Sequence, residues 1–111
     1  MLYTAIAFFS LAALLGMFLL SYVLQDKETP KAVAFAHGAM AATGVILLIT
    51  YSFYRSPTPM ISLILFVMAA LGGLFLIFTD LTGKPIPKWM ALGHGLTAIT
   101  GYIFLLVFTF K

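Results

Sequence analysis

The chain has 111 residues, of which 63% are hydrophobic and 8% are charged, with a formal net charge of +3 and no cysteine. A soluble domain carries about 25% charged residues, so this composition excludes an ordinary soluble protein and indicates an integral membrane protein. The positive charges are single residues spread over short connections, which suits phospholipid headgroups and provides no basic patch for nucleic acid. The lack of cysteine excludes disulfides, thiolate metal sites and thiol nucleophiles.

Four uncharged runs divide the chain, and they cover residues 1–25, 32–54, 56–79 and 89–110. Each run is long enough for an α-helix to cross about 30 Å of hydrocarbon, which takes roughly 20 residues. The runs are continuously apolar and do not alternate every second residue, as barrel strands would, and in lipid the backbone must satisfy its own hydrogen bonds. We therefore predict an all-α integral membrane four-helix bundle.

The first two spans are repeated by the last two. When the sequence is shifted by 57 residues it aligns with itself without a gap, and 20 of the 54 aligned pairs are identical. The first span thus has a counterpart in the middle of the chain, which argues against a cleaved signal peptide. We expect a single transmembrane domain, 1–111, built from repeat 1 (1–54) and repeat 2 (58–111), which are related by an axis along the membrane normal.

Three short connections join the predicted helices. Two of them end in a Pro-Lys pair, Pro30-Lys31 and Pro87-Lys88, and proline suits the first turn of a helix. The third, residues 55–59, contains two prolines and links the repeats. Connections this short predict antiparallel neighbours in an up-down-up-down bundle, in which the second and fourth helices can face each other across the diagonal.

The only two histidines occupy equivalent positions in the two repeats. His37 and His94 each lie six residues after the lysine of a Pro-Lys pair, and each is followed by glycine. At a rise of about 1.5 Å per residue, both lie roughly 9 Å along the axis from the start of their helix. An imidazole inside hydrocarbon is costly unless it has a partner, so an intramembrane histidine indicates a functional site.

Small residues lie on the same helix face as each histidine. At helical spacing, two stripes result: Ala34, His37, Ala41 and Gly44 in repeat 1, and Ala91, His94, Ala98 and Gly101 in repeat 2. Such a stripe leaves a flat slot beside the imidazole that a wide planar ring can fill. It is also the ordinary way in which transmembrane helices pack closely. At this point both interpretations of the alanines and glycines are open.

Two histidines suit a haem better than they suit a bare metal ion. Zinc sites need three or four protein donors, whereas the four spans contain two histidines and no carboxylate or thiol. Haem supplies four nitrogens of its own and needs only two axial ligands, for which neutral imidazole is common. We therefore interpret His37 and His94 as ligands of haem b. Other polar or proton-carrying roles and structural hydrogen bonding are the alternatives.

Paired histidines on the second and fourth helices of a four-helix membrane bundle, with glycines on the same faces, resemble the haem-binding core of b-type membrane cytochromes. The resemblance implies that His37 and His94 are axial ligands and that Gly44 and Gly101 give the macrocycle room. Many members of that family carry a second histidine deeper in the same helices, and this chain does not. The resemblance therefore implies one haem per chain, near one membrane face.

Four further residues are expected near the haem because of their depth. Phe18 and Phe75, towards the ends of the first and third spans, are expected level with the ring. Lys31 and Lys88 are placed to meet the haem propionates. Lysines at these positions also reach lipid headgroups without any cofactor, which is the competing interpretation.

These features predict a small cytochrome that transfers electrons at one face of a bacterial inner (plasma) membrane, with a quinol, a small oxidant or a redox protein as its partner. Whether it is an oxidoreductase or an electron-transfer subunit is left open. The alternatives are a haem carrier or assembly subunit without redox turnover, and a small transporter that uses the histidines for polar or proton contacts. A small multidrug exporter is disfavoured because its mechanism rests on a membrane-embedded carboxylate, which these spans lack.

We expect both histidines of one site to come from one chain. We also expect a homodimer that packs through small residues of the first and third spans, since small residues allow close approach of transmembrane helices. These residues are Ala12, Ala13, Gly16, Ala69, Ala70, Gly72 and Gly73.

Overall fold

The structure, a computed structural model that describes all 111 residues, consists of four α-helices without any strand. The helices are α1 (Leu2–Leu24), α2 (Lys31–Tyr54), α3 (Met60–Leu81) and α4 (Lys88–Phe110). Each has 22 to 24 residues and is apolar enough to cross a membrane. At 1.5 Å per residue each is about 33 to 36 Å long, which exceeds the thickness of the hydrocarbon core. The prediction of an all-α, four-span bundle is confirmed.

The Pro-Lys pairs begin α2 and α4, as predicted. Pro30 and Pro87 have φ angles of −66° and −62°, and the lysine that follows each is the first helical residue. Each proline lacks an N–H, but its carbonyl accepts the first helical hydrogen bond, from Ala34 at 3.0 Å and from Ala91 at 3.1 Å. Proline therefore sets the start of the helix at no cost in unpaired donors.

The ends of α1 and α3 are closed by the same type of turn at equivalent positions. Asp26 and Gly83, which are 57 residues apart, have positive φ angles of 58° and 80°. The N–H of Lys27 donates to the carbonyl of Tyr22 at 2.9 Å, and the equivalent N–H of Lys84 donates to the carbonyl of Thr79 at 3.3 Å. This six-to-one bond around a left-handed residue is the usual way to satisfy the last carbonyls of a helix. The turn brings each connection back over the bundle end.

The four helices form an elongated bundle of 43 × 21 × 19 Å. Each helix packs against its neighbours in the chain, and α1 also packs against α4, so α1 lies diagonally across from α3 and α2 diagonally across from α4. This is the predicted arrangement of the second and fourth helices. Residues of α2 and α4 that point inward therefore face each other across the bundle axis.

The core lies in the half of the bundle nearest the chain termini and the connection between the repeats, residues 55–59. Phe9 of α1 stacks on its repeat equivalent Phe66 of α3, with ring centroids 3.9 Å apart and planes within 4° of parallel. Leu48 and Leu105, a second equivalent pair, are completely buried beside them, as is Ala5. The larger apolar side chains thus fill this half of the interior and leave the Pro-Lys half to small residues and the histidines.

One polar contact joins the first and last helices inside the apolar region. The hydroxyl of Ser10 donates to the carbonyl of Ile6 at 2.8 Å, so the 2.6 Å contact with Tyr102 is a bond in which the tyrosine hydroxyl donates. The equivalent positions of the other repeat hold Val45 and Val67. The contact therefore exists once, and it distinguishes the α1–α4 interface from the α2–α3 interface.

Replacing Phe9 with alanine should lower the free energy of unfolding by about 1–3 kcal/mol, because it leaves a cavity against Phe66 and Gly44. The loss is smaller than in a soluble core, because lipid is as apolar as the interior and only packing contacts are lost. Phe78→Ala is the matched control, since 68% of that side chain is exposed. Unfolding of the micellar protein by sodium dodecyl sulfate, followed by circular dichroism, measures both. Equal effects of the two substitutions would contradict the assignment of the core.

Candidate functional site

The two histidines face each other across the α2–α4 diagonal within one chain. Their ring centroids are 6.1 Å apart, and the ring planes are inclined by 83°. The sequence predicted that both lie at one depth, and the bundle brings them together at that depth. Both side chains are partly buried.

Each imidazole is held by a hydrogen bond to the backbone of the neighbouring helix of its own repeat. Nδ1 of His37 lies 2.7 Å from the carbonyl oxygen of Ala12, and Nδ1 of His94 lies 2.8 Å from that of Ala69. A carbonyl oxygen only accepts, so Nδ1 carries the hydrogen in both rings. In a neutral ring this tautomer leaves Nε2 with a free lone pair, and no group of the chain is bonded to either Nε2 atom.

Two glycines of α1 and α3 lie directly against the imidazoles, and the sequence did not identify them as site residues. A Cβ atom on Gly16 would lie 2.9 Å from Cε1 of His37, and one on Gly73 would lie 3.1 Å from Cε1 of His94. One feature of the sequence points to them: each glycine, together with the alanine four residues before it, is identical in the two repeats.

The small residues of α1 and α3 that we expected at a homodimer contact lie mostly inside the bundle. Ala12 and Ala69 are each only 5% exposed, and Gly16 and Gly73 contact the imidazoles of the same chain. These four residues instead let α1 and α3 approach the histidine side chains of the same chain. Of the remaining three, only Ala70 is exposed. The homodimer itself stays a prediction.

The two predicted stripes face the interior, as all their members are buried or partly buried: Ala34, Ala41, Gly44, Ala91, Ala98 and Gly101. The space beside the glycines is occupied, however. A Cβ on Gly44 would lie 2.8 Å from the ring of Phe9, and one on Gly101 would lie 3.2 Å from Leu65 and 3.5 Å from Phe66. Close packing, the alternative interpretation of the stripes, accounts for both glycines in this structure. Their contact with a haem stays a prediction.

Phe18 and Phe75 do not lie beside the histidines on the inner face. They are 46% and 50% exposed, and the ring of Phe18 packs against Tyr22. Each is two residues beyond Gly16 or Gly73, and two residues rotate a helix by about 200°. This outward direction does not favour the expected contact with the macrocycle, which stays a prediction, whereas the expected depth agrees with the position of the glycines.

The two lysines expected at haem propionates bind carboxylates of the chain. Nζ of Lys31 donates to Asp80 at 2.9 Å and to the carbonyl and hydroxyl of Thr29 at 3.2 and 3.3 Å, which uses all three of its hydrogens. The hydroxyl of Thr29 donates to the other oxygen of Asp80 at 2.5 Å. Lys88 forms an exposed pair with Asp26 at 3.2 Å. Both lysines thus join one repeat to the other, and a propionate would have to compete with these carboxylates.

A cleft of about 420 Å³ opens at the same end of the bundle, between the two Pro-Lys connections. Its lining consists of five pairs of repeat-equivalent residues: Val23 and Asp80, Asp26 and Gly83, Lys27 and Lys84, Glu28 and Pro85, Thr29 and Ile86. The cleft therefore lies on the axis that relates the repeats. Lys27 and Lys84 form no ion pair.

No known protein family, no curated protein and no solved structure matches this chain. The interpretation of the site therefore rests on its own geometry.

Replacing Asp80 with asparagine should lower the free energy of unfolding by about 1–3 kcal/mol, because Lys31 and Thr29 lose a charged acceptor whose side chain is only 12% exposed. Asp26→Asn is the matched control. Its side chain is 79% exposed, so its loss should change stability by less than about 1 kcal/mol. The measurement is again unfolding of the micellar protein, and a larger effect of the Asp26 substitution would contradict the assignment.

Proposed function

We propose that the protein is a small membrane cytochrome that binds one haem b between His37 and His94 and transfers single electrons at the membrane face formed by the Pro-Lys connections. The observation that carries the proposal is the pair of facing imidazoles, each with its Nδ1–H bonded to a carbonyl and its Nε2 free. The residues of this chain would hold the group, and the group when bound would supply a reversible one-electron couple.

The two rings lie close enough in one chain to hold one group between them. Their centroids are 6.1 Å apart, and metal–nitrogen bonds are about 2.0 Å long. His37 and His94 could therefore both reach a metal centre that lay between them.

The hydrogen bonds of the rings also suit metal ligands. A ligating histidine usually donates its second ring N–H to a carbonyl or carboxylate, which fixes the tautomer and makes the other nitrogen a better donor to the metal. Ala12 and Ala69 supply such carbonyls. Because these carbonyls belong to helices, the orientation of each ring is set by rigid elements.

The number of protein donors favours haem over a bare metal ion. No cluster of three or more His, Cys, Asp or Glu side chains exists in the chain, whereas structural and catalytic zinc sites use three or four. If both imidazoles held the iron, the group would supply electron transfer and not the binding of oxygen. A haem that extended as far as Gly44 and Gly101 would require the rings of Phe9 and Phe66 to shift.

The membrane face at which electrons would be exchanged follows from the depth of the site. The histidines lie about 9 Å from the Pro-Lys ends of their helices, and the stacked phenylalanines close the interior on the other side. Electrons would therefore be exchanged at the Pro-Lys face with a quinol, a small oxidant or a redox protein. The proposed setting is a bacterial inner membrane, with the chain as a homodimer.

Replacing either His37 or His94 with alanine should abolish the low-spin haem, since each supplies one of two axial ligands. Haem content by pyridine haemochrome and the visible spectrum of the purified protein measure this. Thr43→Ala and Thr100→Ala are matched controls, because these hydroxyls bond only to the preceding turn of their own helix. Full haem occupancy with unchanged optical bands in either histidine variant would overturn the ligand assignment, and a colourless native protein purified from haem-replete cells would overturn the function.

Carbon monoxide should bind the reduced native protein slowly and incompletely, because His37 and His94 would both hold the iron. The soluble quinol duroquinol should reduce the haem if a quinol is the electron donor, whereas a haem carrier needs no such reaction. Stopped-flow absorbance follows both reactions. Rapid, complete binding of carbon monoxide would show a missing or labile ligand, and failure of reduction by duroquinol would exclude a quinol donor and favour haem carriage.

A further inference from the structure

We infer that Gly16 and Gly73 are positioning residues for the two imidazoles. Each glycine lets a histidine ring lie against the backbone of the neighbouring helix, so that Nδ1–H reaches a carbonyl and Nε2 stays free. The inference deepens the proposed function and rests on it for the haem readout, whereas the state of the rings can be measured without haem.

The contact at Gly16 leaves no space for a methyl group. A Cβ there would lie 2.9 Å from Cε1 of His37, 3.3 Å from Nδ1 and 3.7 Å from Nε2. Carbon atoms that are not bonded prefer about 3.5–4.0 Å. An alanine at position 16 must therefore displace the ring, and because Cε1 is bonded to both nitrogens, the displacement moves the hydrogen-bonding and the ligating nitrogen together.

The contact at Gly73 is similar but less tight. A Cβ there would lie 3.1 Å from Cε1 of His94 and 3.7 Å from each of its nitrogens. A shift of a few tenths of an ångström would accommodate it. Gly72, the preceding residue, is different, because its Cβ would lie 3.7 Å from Nδ1 of the same ring, which is an ordinary contact.

Each glycine forms a unit with the carbonyl that binds the imidazole. Ala12 and Gly16 are four residues apart on α1, as are Ala69 and Gly73 on α3, so acceptor and glycine lie one turn apart on one helix face. The ring spans this turn: Nδ1 reaches the acceptor while Cε1 rests on the glycine. A side chain at the glycine separates the ring from the carbonyl as well.

The residues next to the glycines differ between the repeats, while the unit itself is identical. Leu15 and Met17 flank Gly16, whereas Gly72 and Leu74 flank Gly73. The two histidine contacts are therefore built by the shared alanine and glycine.

The test compares Gly16→Ala and Gly73→Ala with three control substitutions in the full-length protein in lipid nanodiscs. Gly72→Ala controls for a methyl near the same ring. Gly38→Ala and Gly95→Ala, at the residues after the histidines, control for helix propensity, because nothing lies within 4 Å of a Cβ at either position. All five variants gain the same methyl group within a helix.

The first readout is long-range ¹H–¹⁵N NMR of the haem-free protein labelled in histidine, which reports which ring nitrogen carries hydrogen. The native protein should show Nδ1–H in both rings. Gly16→Ala should change the signals of His37 alone, and Gly73→Ala should produce a smaller change in those of His94 alone. The controls should match the native protein. If Gly16→Ala does not fold, the milder Gly73→Ala decides.

The second readout is the haem-loaded protein. Loss of the Nδ1 hydrogen bond makes an imidazole a weaker electron donor to the metal. Gly16→Ala should therefore raise the midpoint potential of the haem and increase its high-spin fraction. Gly73→Ala should have the same effects to a smaller extent, and the three controls should have neither. Unchanged histidine signals in both glycine variants would overturn the inference whatever happens to stability. Native protein that shows the expected NMR changes but binds no haem would overturn the proposed function and leave the positioning of the rings established.

Discussion

The bundle depends on the need of two imidazole N–H groups for partners inside an apolar interior. In a lipid environment the donor cannot be left to water, and each of these donors is satisfied by a backbone carbonyl of the adjacent helix at 2.7 or 2.8 Å. Such a bond requires that the ring reach a backbone, and the backbone is accessible only where the neighbouring helix carries a small side chain or none. The alanines and glycines of α1 and α3 meet this requirement beside the histidines. The buried aromatic pair, Phe9 and Phe66, lies in the other half of the interior.

The two repeats satisfy their imidazole N–H groups with equivalent residues. His37, Ala12 and Gly16 recur as His94, Ala69 and Gly73, so two equivalent hairpins present equivalent rings to a common axis. The contacts that hold the hairpins together are less symmetric. The hydrogen bond between Ser10 and Tyr102 has no counterpart. The partly buried pair of Lys31 with Asp80 also has no equivalent, since Lys88 binds an exposed carboxylate. The half of the molecule that contains the histidines is symmetric, whereas the interfaces between the repeats differ.

The sequence predicted those features that depend on local chemistry and missed those that depend on which side of a helix meets which partner. The positions of the charges and the Pro-Lys pairs predicted the four helices and the starts of α2 and α4, and the position of His37 and His94 after those pairs predicted their common depth. Depth alone did not give direction, so Phe18 was expected beside the histidines although it lies two residues around the helix from Gly16. A small residue in a transmembrane helix allows close approach without indicating whether the approaching group belongs to the same chain, which is why Gly16 and Gly73 were assigned to a dimer contact. Lys31 binds Asp80, which belongs to the other repeat, and Gly44 packs against Phe9, which belongs to α1. No spacing within α2 predicts either partner.

The order of the helices along the chain has a consequence for the pair of histidines. The hydrogen bond between His37 and Ala12 lies wholly within the first hairpin, because α1 packs directly against α2. The second ring belongs to α4, the last helix, which also brings Tyr102 to Ser10. A chain that ended after α2 would therefore hold one imidazole without a second ring opposite it. A group that needed both imidazoles would require the complete four-helix fold.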